Sequence, residues 1–353
     1  MHGEAYQKAS DYWRALQVGS IKPGLYLQDK LQGVDVAQIG VDSFLERLLN
    51  TKRPQIFAES AVYGNGLDWN PQELKLLGDI GIAVEVMVYD DGRHYQPVPH
   101  PEPFAAHLLF TAGALLRNGQ QQLPVDWDVV GDDGEIDQDR YYELYKRRLL
   151  PLLLYANELA SANGKQAFIT VPGLGCGQFA GKFIGQLGAM LQVALLRLLS
   201  EYQKQLDNVR AVYFDPYNEC ENARFQLGHL SFMVRPLTQG NQHKPQLCQP
   251  CRYEESGDDF SQYLLFSVVA WDHVSWPGND FYIGARATDD GVKAAATSSM
   301  EAMTGFTGHY NLASKTYDPP APYRNWDEVV RRNSLQLELA GRFRIMPPVG
   351  EIA

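Results

Sequence analysis

AWDHVSWPGNDFYIGARATDDGVKAAATSSMEAM, residues 270–303, carries four aspartates (Asp272, Asp280, Asp289, Asp290), two tryptophans (Trp271, Trp276) and a Pro-Gly-Asn-Asp turn. The run before its loop, Tyr263 to Ala270 (YLLFSVVA), is rich in β-branched and aromatic residues and predicts a buried strand. The run after it, from Asp290 through VKAAATSSMEAM to Met303, predicts a helix. Alanine favours the helix, and Thr288, Asp289 and Asp290 supply a cap and first-turn negative charge. The unit is therefore strand, polar-aromatic loop, helix. In an α/β sheet, ligands gather at the loop beyond a strand's carboxyl end. Four carboxylates there exceed what a turn needs.

Working outward, strands and helices alternate. Ala83–Tyr89, Gln166–Val171, Val209–Phe214 and Leu230–Val234 predict strands, as do the shorter Gln55–Ser60 and Asp126–Val130. Val41–Leu49, Pro71–Gly81, Asp137–Ala162, Lys182–Leu206 and Trp326–Ala340 predict helices. Ala105–Leu116 fits either. His94–Pro103 holds four prolines and predicts an extended loop. A polar loop covers 236–259, and Tyr317–Arg324 is proline-rich. This alternation predicts an α/β fold, a three-layer α/β/α sandwich with a mixed central sheet and extra N-terminal elements. Residues 1–50 read as a helical accessory segment and 51–353 as the main domain.

At 353 residues the chain can bury a sizeable core, and its net charge of −11 disfavours phosphate backbones, so nucleic acid is not an expected partner. A basic protein surface could suit that charge. No apolar run reaches membrane-spanning length, and the N-terminus lacks the apolar core of a secretory signal, which predicts a soluble chain. Cys248 and Cys251 form a C-x-x-C with His243 before it. No second ligand pair follows, so two thiols in a loop is the simpler reading and no metal site is expected.

A second stretch, Pro172–Gly181 (PGLGCGQFAG), sets four glycines between a strand and a helix. Glycines let backbone N–H groups turn toward a ligand, and the next helix would add its positive end, so an anion cradle for a phosphate or diphosphate is expected. The alternative is a tight turn with close packing. Gly173, Gly175, Cys176, Gly177, Gln178 and Phe179 are the candidate contacts, with Phe179 able to pack on a sugar or base. Neither a P-loop nor a dinucleotide fingerprint is present.

Among the aspartates, Asp289 or Asp290 could serve only as a helix cap, and Asp280 only as a turn former. Asp272, at a buried strand end, needs a partner. Clustered carboxylates could hold a divalent metal, grip a guanidinium, or act as acid and base. Trp276 could stack on a base or anchor the loop. Cradle, aromatics and carboxylates together fit a nucleotide sugar. Hydrolysis at ribose passes through an oxocarbenium-like state that carboxylates stabilise.

FITVPGLGCGQFAG resembles the diphosphate loop of macrodomains, the ADP-ribose-binding α/β/α fold. WDHVSWPGNDFYIGARATDDGVKAAAT is closer still to the atypical macrodomain ADP-ribosylhydrolase effectors of the MavL type. The resemblance implies hydrolysis of arginine-linked ADP-ribose on ubiquitin, with Asp272, Asp280 and Asp290 as the catalytic residues through the motifs WD, PGND and TDDG. It also implies Trp276, Asn279 and Asp289 near the substrate, ADP-ribose as ligand or product, and no required cofactor. A host ubiquitin-conjugating enzyme could be a further partner, and the host cytosol the place of action. In ordinary macrodomains the adenine-contacting aspartate and ribose-contacting asparagine precede the glycine loop. Here Asp272 and Asn279 follow it, so the order is permuted. The glutamate pair of poly-ADP-ribose glycohydrolases is absent, which argues against polymer cleavage. Two other classes fit the same residues: a non-catalytic ADP-ribose reader, and a metal-dependent phosphoesterase.

Overall fold

The computed structural model describes residues 1–63, 67–339 and 343–348. Seven strands form the main sheet: β1 (Ile82–Asp90), β2 (Pro99–Ala112), β3 (Ala167–Pro172), β4 (Val209–Asp215), β5 (Ala223–Leu227), β6 (Leu230–Val234) and β7 (Leu264–Trp271). Their order is β1-β2-β7-β3-β4-β6-β5. The sheet is mixed: β2, β7, β3, β4 and β6 run parallel, while β1 and β5 are antiparallel edges. The principal helices are α1 (Gly3–Gln17), α2 (Val41–Leu49), α3 (Pro71–Gly78), α4 (Gln138–Ala162), α5 (Leu187–Tyr202), α6 (Asp289–Ala296) and α7 (Trp326–Arg332).

Strand alternation sorts the layers. Ile169, Val171, Val212 and Phe214 face Leu149, Leu153, Leu191 and Leu195 of α4 and α5 in one core. Phe168, Ala211, Tyr213 and Val269 face Leu247, Tyr253 and Phe260 of the polar loop, with Ala296 of α6, in another. A third core joins Ala5, Phe44, Leu48 and Leu77 to Trp276, Phe281, Ala294, Ala295, Met300 and Trp326. The helices of residues 1–78 thus pack directly on the stretch that follows β7.

Several expectations need correction. Pro99, Pro101 and Pro103 lie in β2, paired with β1, rather than in a loop. Prolines two apart leave their missing donors on one side only, and β7 reaches β2 only from His107 onward. Ala105–Leu116 resolves as strand as far as Ala112. Asp126–Val130 is not a strand. Asp126 accepts from Leu115 N and from Arg148, and Trp127–Val130 coils into one helical turn. Among the described residues, Gln55–Ser60 pairs with no strand, and Ala58–Ala61 is a helical turn. The helix expected from Lys182 starts at Leu187, after a 3-10 turn, Gln178–Phe183, broken at Gly181. β5 was not foreseen. The helix expected to reach Ala340 ends at Arg332, and residue 340 lies outside the described residues.

Candidate active site

β7 ends at Trp271, and the chain turns sharply because Asp272 hydrogen-bonds its own loop. Its Oδ1 accepts from Val274 N (2.7 Å) and Ser275 N (2.6 Å), and its Oδ2 from Ser275 Oγ (2.6 Å) and Asn279 Nδ2 (3.3 Å). Asp280 Oδ2 accepts from Ala287 N (2.7 Å) and Thr288 N (3.2 Å), and its Oδ1 from the Thr288 hydroxyl. Thr288 caps α6 by accepting from Gly291 N at 3.1 Å. Asp290 sits in the first turn of α6. Its Oδ1 lies 2.8 Å from Thr288 Oγ1, and its Oδ2 accepts from Gly278 N at 3.2 Å. Asp289 turns the other way and accepts from Ala270 N at 2.9 Å, tying α6 to β7.

Asp272, Asp280 and Asp290 are each 6 % exposed or less. Burial, then the charge of Asp272, then those of Asp280 and Asp289, pushes the Asp290 carboxyl well above the usual carboxylate range, with its hydrogen bond to the Thr288 hydroxyl acting the other way. One stretch of sequence therefore holds an acid pushed toward its neutral form beside two further buried aspartates.

Residues 52–59 complete this region, and sequence reasoning missed them. Arg53 N donates to Val274 O (2.8 Å), Trp276 N to Arg53 O (2.7 Å), and Ile56 N to Asn279 Oδ1 (3.0 Å). The fully buried Lys52 ammonium lies 3.8 Å over the Trp271 ring and donates to the carbonyls of Asp272 (3.3 Å) and His273 (2.7 Å). Burial lowers Lys52 to about 7, against the pull of Asp272. Half-buried Glu59 is raised by burial and by Asp272, with Arg117 acting against them. Only the reach of 52–59 across the fold reveals these groups. A Lys-Arg-Pro run reads as surface. Trp276 is a loop anchor: it is buried, donates to Lys52 O at 3.0 Å and meets Tyr282 edge-on.

The glycine loop leaves β3 beside this region. Tyr145 donates to Leu174 O at 2.6 Å and accepts from Ala114 N at 3.1 Å, clamping the loop to the end of β2. Gly175 has φ +74°, and a Cβ there would come within 2.9 Å of Ala114 N, so close packing and backbone conformation both require glycine. Cys176 is buried, and burial raises its thiol far above neutrality. Gly173 is half-buried, while Gly177 and Gln178 are exposed. Among the described residues, the amides of Gly177, Gln178 and Phe179 donate no hydrogen bond within the chain, which leaves three donors for an anion. Gln178 accepts from Arg117 at 2.5 Å. Half-buried Phe179 lies 6.3 Å from the His273 ring, so the loop and the aspartate stretch meet there. The expected contribution of the helix end is corrected: Glu219 accepts from Gly188 N at 2.6 Å and occupies the start of α5.

A buried ion network underlies both loops. Arg148 pairs with Asp126 (2.8 Å) and Asp79 (3.1 Å), and His273 Nε2 lies 3.2 Å from Asp126. Arg148 also donates to Gly113 O at 2.9 Å, and a Cβ on Gly113 would lie 2.3 Å from Gly175 N. Burial alone would raise Asp126, but Arg148 and His273 outweigh it and hold it far below the usual range. Among the described residues, no group of His, Cys, Asp and Glu is arranged to hold a metal ion. Cys248 is buried, Cys251 exposed, and both are free thiols. No described helix is long and apolar enough to cross a membrane.

The family model described as "Macrodomain effector MavL" matches residues 1–323. No curated protein matches the chain.

Proposed function

The chain belongs to the MavL family of macrodomain effectors, whose function is ADP-ribose-related, and from that premise we propose that it hydrolyses ADP-ribose from an arginine side chain of a protein, with ubiquitin as the substrate. The observation that carries the reading is the convergence of Asp272, Asp280 and Asp290, one of them pushed toward its neutral form, in a stretch that meets the 52–59 segment at Asn279 and the glycine loop at His273. A reader of ADP-ribose needs an acid for adenine and a diphosphate cradle. It gains nothing from a buried acid pushed toward its neutral form beside two further aspartates.

The reaction breaks the bond between the ribose anomeric carbon and a guanidine nitrogen. The electron pair goes to nitrogen, which takes a proton from a carboxylic acid. Water adds its oxygen to the anomeric carbon and yields a proton to a carboxylate. Carboxylates beside the oxocarbenium-like centre stabilise its charge. The free amides of Gly177, Gln178 and Phe179 would take the diphosphate, and Asn279 and Asp289 brace the loop around the reacting ribose. No resident cofactor enters this scheme. A host ubiquitin-conjugating enzyme as a second partner, and delivery into the host cytosol, belong to the same proposal.

One observation favours the reader instead: the Asp272 and Asp280 oxygens already accept hydrogen bonds from their own loop. The test is release of ADP-ribose from arginine-modified ubiquitin, with and without a chelator. Release that survives the chelator and falls at least about 100-fold in Asp290→Asn supports the hydrolase. Tight ADP-ribose binding without release supports the reader. Activity abolished by the chelator points to a metal-dependent reaction.

A further inference from the structure

The contacts of Thr288 fix a proton count. A hydroxyl has one hydrogen to give and two lone pairs to accept with. Thr288 Oγ1 is in hydrogen-bonding contact with three groups: Gly291 N (3.1 Å), Asp280 Oδ1, and Asp290 Oδ1 (2.8 Å). The Gly291 N–H is shared between one lone pair of this oxygen and Asp290 Oδ1, 3.1 Å from it. The hydroxyl hydrogen serves one carboxylate. The other carboxyl oxygen can bond the remaining lone pair only if it carries a hydrogen itself.

The surroundings decide which carboxyl that is. Both carboxyls accept from backbone N–H groups, but Asp280 has Ala287 N and Thr288 N to itself and the hydroxyl besides, whereas Asp290 has Gly278 N and only a share of Gly291 N, so Asp280 is the better-supported anion. Asp290 is fully buried and faces the charges of Asp272 from the β7 loop, Asp280 from the PGND turn and Asp289 beside it. Among the described residues, the buried Tyr282 hydroxyl, also within the field of Asp290, has no hydrogen-bond partner. Lys293, one turn along α6, does not neutralise it, because its ammonium donates to Gln246 Oε1 (2.9 Å) and Ser267 Oγ (3.1 Å).

We propose that Thr288 is a positioning residue that bridges a single proton between Asp290, which carries it at rest, and Asp280, which is ionised. The role rests on the hydrolase reading. Asp290 gives its proton to the leaving guanidine nitrogen, and Asp280 takes one from the attacking water. Thr288 then receives the proton of Asp280 while passing its own to Asp290, which restores the resting state with no net gain or loss of protons.

The test separates this assignment from the hydrolase reading. Difference infrared spectra of the ligand-free protein at pH 7 are taken for the wild type against Asp290→Asn. A carboxylic-acid C=O band present in the wild type and missing in Asp290→Asn is expected, whatever reaction the protein catalyses. No such difference overturns the assignment. Thr288→Ser keeps the hydroxyl and should keep both the band and the pH profile of release. Thr288→Asn keeps a capping oxygen without a hydroxyl. It should lower turnover about tenfold or more, in line with loss of a positioned proton donor, and move the basic limb of the profile, with ADP-ribose affinity within about twofold of the wild type. A Thr288→Asn profile that matches the wild type overturns the relay. A band without any release on the wild type leaves the proton assignment standing and overturns the hydrolase.

Discussion

Gly291→Ala sets two effects against each other. Gly291 lies within α6, where replacing glycine by alanine stabilises a helix by about 1 kcal/mol. A Cβ there, however, would lie 1.8 Å from Asp280 Oδ1 and 2.9 Å from Thr288 Oγ1. Asp280 cannot stay, and it is held by Ala287 N, Thr288 N and the Thr288 hydroxyl. Overpacking costs about 1–3 kcal/mol, and each lost hydrogen bond to a charged group about 1.5–3 kcal/mol. With one such bond lost and the helix gain subtracted, the net destabilisation is about 1.5–5 kcal/mol. At ~2 cal/mol/K of unfolding entropy per residue, a chain of 353 residues loses about 2–7 °C in Tm. Calorimetry and ADP-ribose release, run on the same preparation, check this. A lower Tm with activity reduced at least about tenfold is expected. A variant that melts higher and keeps its activity would refute the packing of Asp280 against α6.

The Asp290 carboxyl is raised by burial, so its favourable contribution is complete below the ordinary carboxylate pKa and is lost as pH rises through the folded value. Asp290→Asn should therefore gain stability relative to the wild type between pH 5 and pH 9 in urea unfolding, and a gap that is constant across that window would contradict the shift. Asp126 is the opposite case, held low by Arg148 and His273 against burial, so its contribution is present above the usual pKa and is lost only as pH falls through its depressed value. Asp126→Asn breaks the buried pair with Arg148 and should cost about 3–5 kcal/mol at pH 7 in the same assay. Gly113→Ala drives a methyl into the Gly175 backbone, which has no rotamer to relieve it, so calorimetric affinity for ADP-ribose should fall about tenfold or more. Unchanged affinity would remove the glycine loop from the ligand site.

Local pattern carried the reading where local physics decides the structure. Alternation marked Ala83–Tyr89 and a short apolar, β-branched run marked Gln166–Val171, and their strands run Ile82–Asp90 and Ala167–Pro172. The cap at Thr288 and the helix after it were legible because capping is a contact across three residues. Asp272, Asp280 and Asp290 could be singled out because they share one loop and its turns. The pieces that stayed hidden depend on distant partners. Arg148 and His273 meet Asp126 across 22 and 147 residues, so nothing near any of them signals an ion network. Lys52 reaches the Asp272 carbonyl across 220 residues. β2 hid behind its prolines because propensity cannot show that one side of that half-strand lacks a partner strand.

The central claim is that the three aspartates form a hydrolytic site for arginine-linked ADP-ribose. Single-turnover release of ADP-ribose from arginine-modified ubiquitin, with the wild type and Asp272→Asn, Asp280→Asn and Asp290→Asn in parallel, tests it most directly. The account predicts release by the wild type and losses of at least about 100-fold in each variant, with ADP-ribose affinity retained in Asp290→Asn. Release at wild-type rate in all three variants, or none from a wild type that binds ADP-ribose tightly, would contradict it.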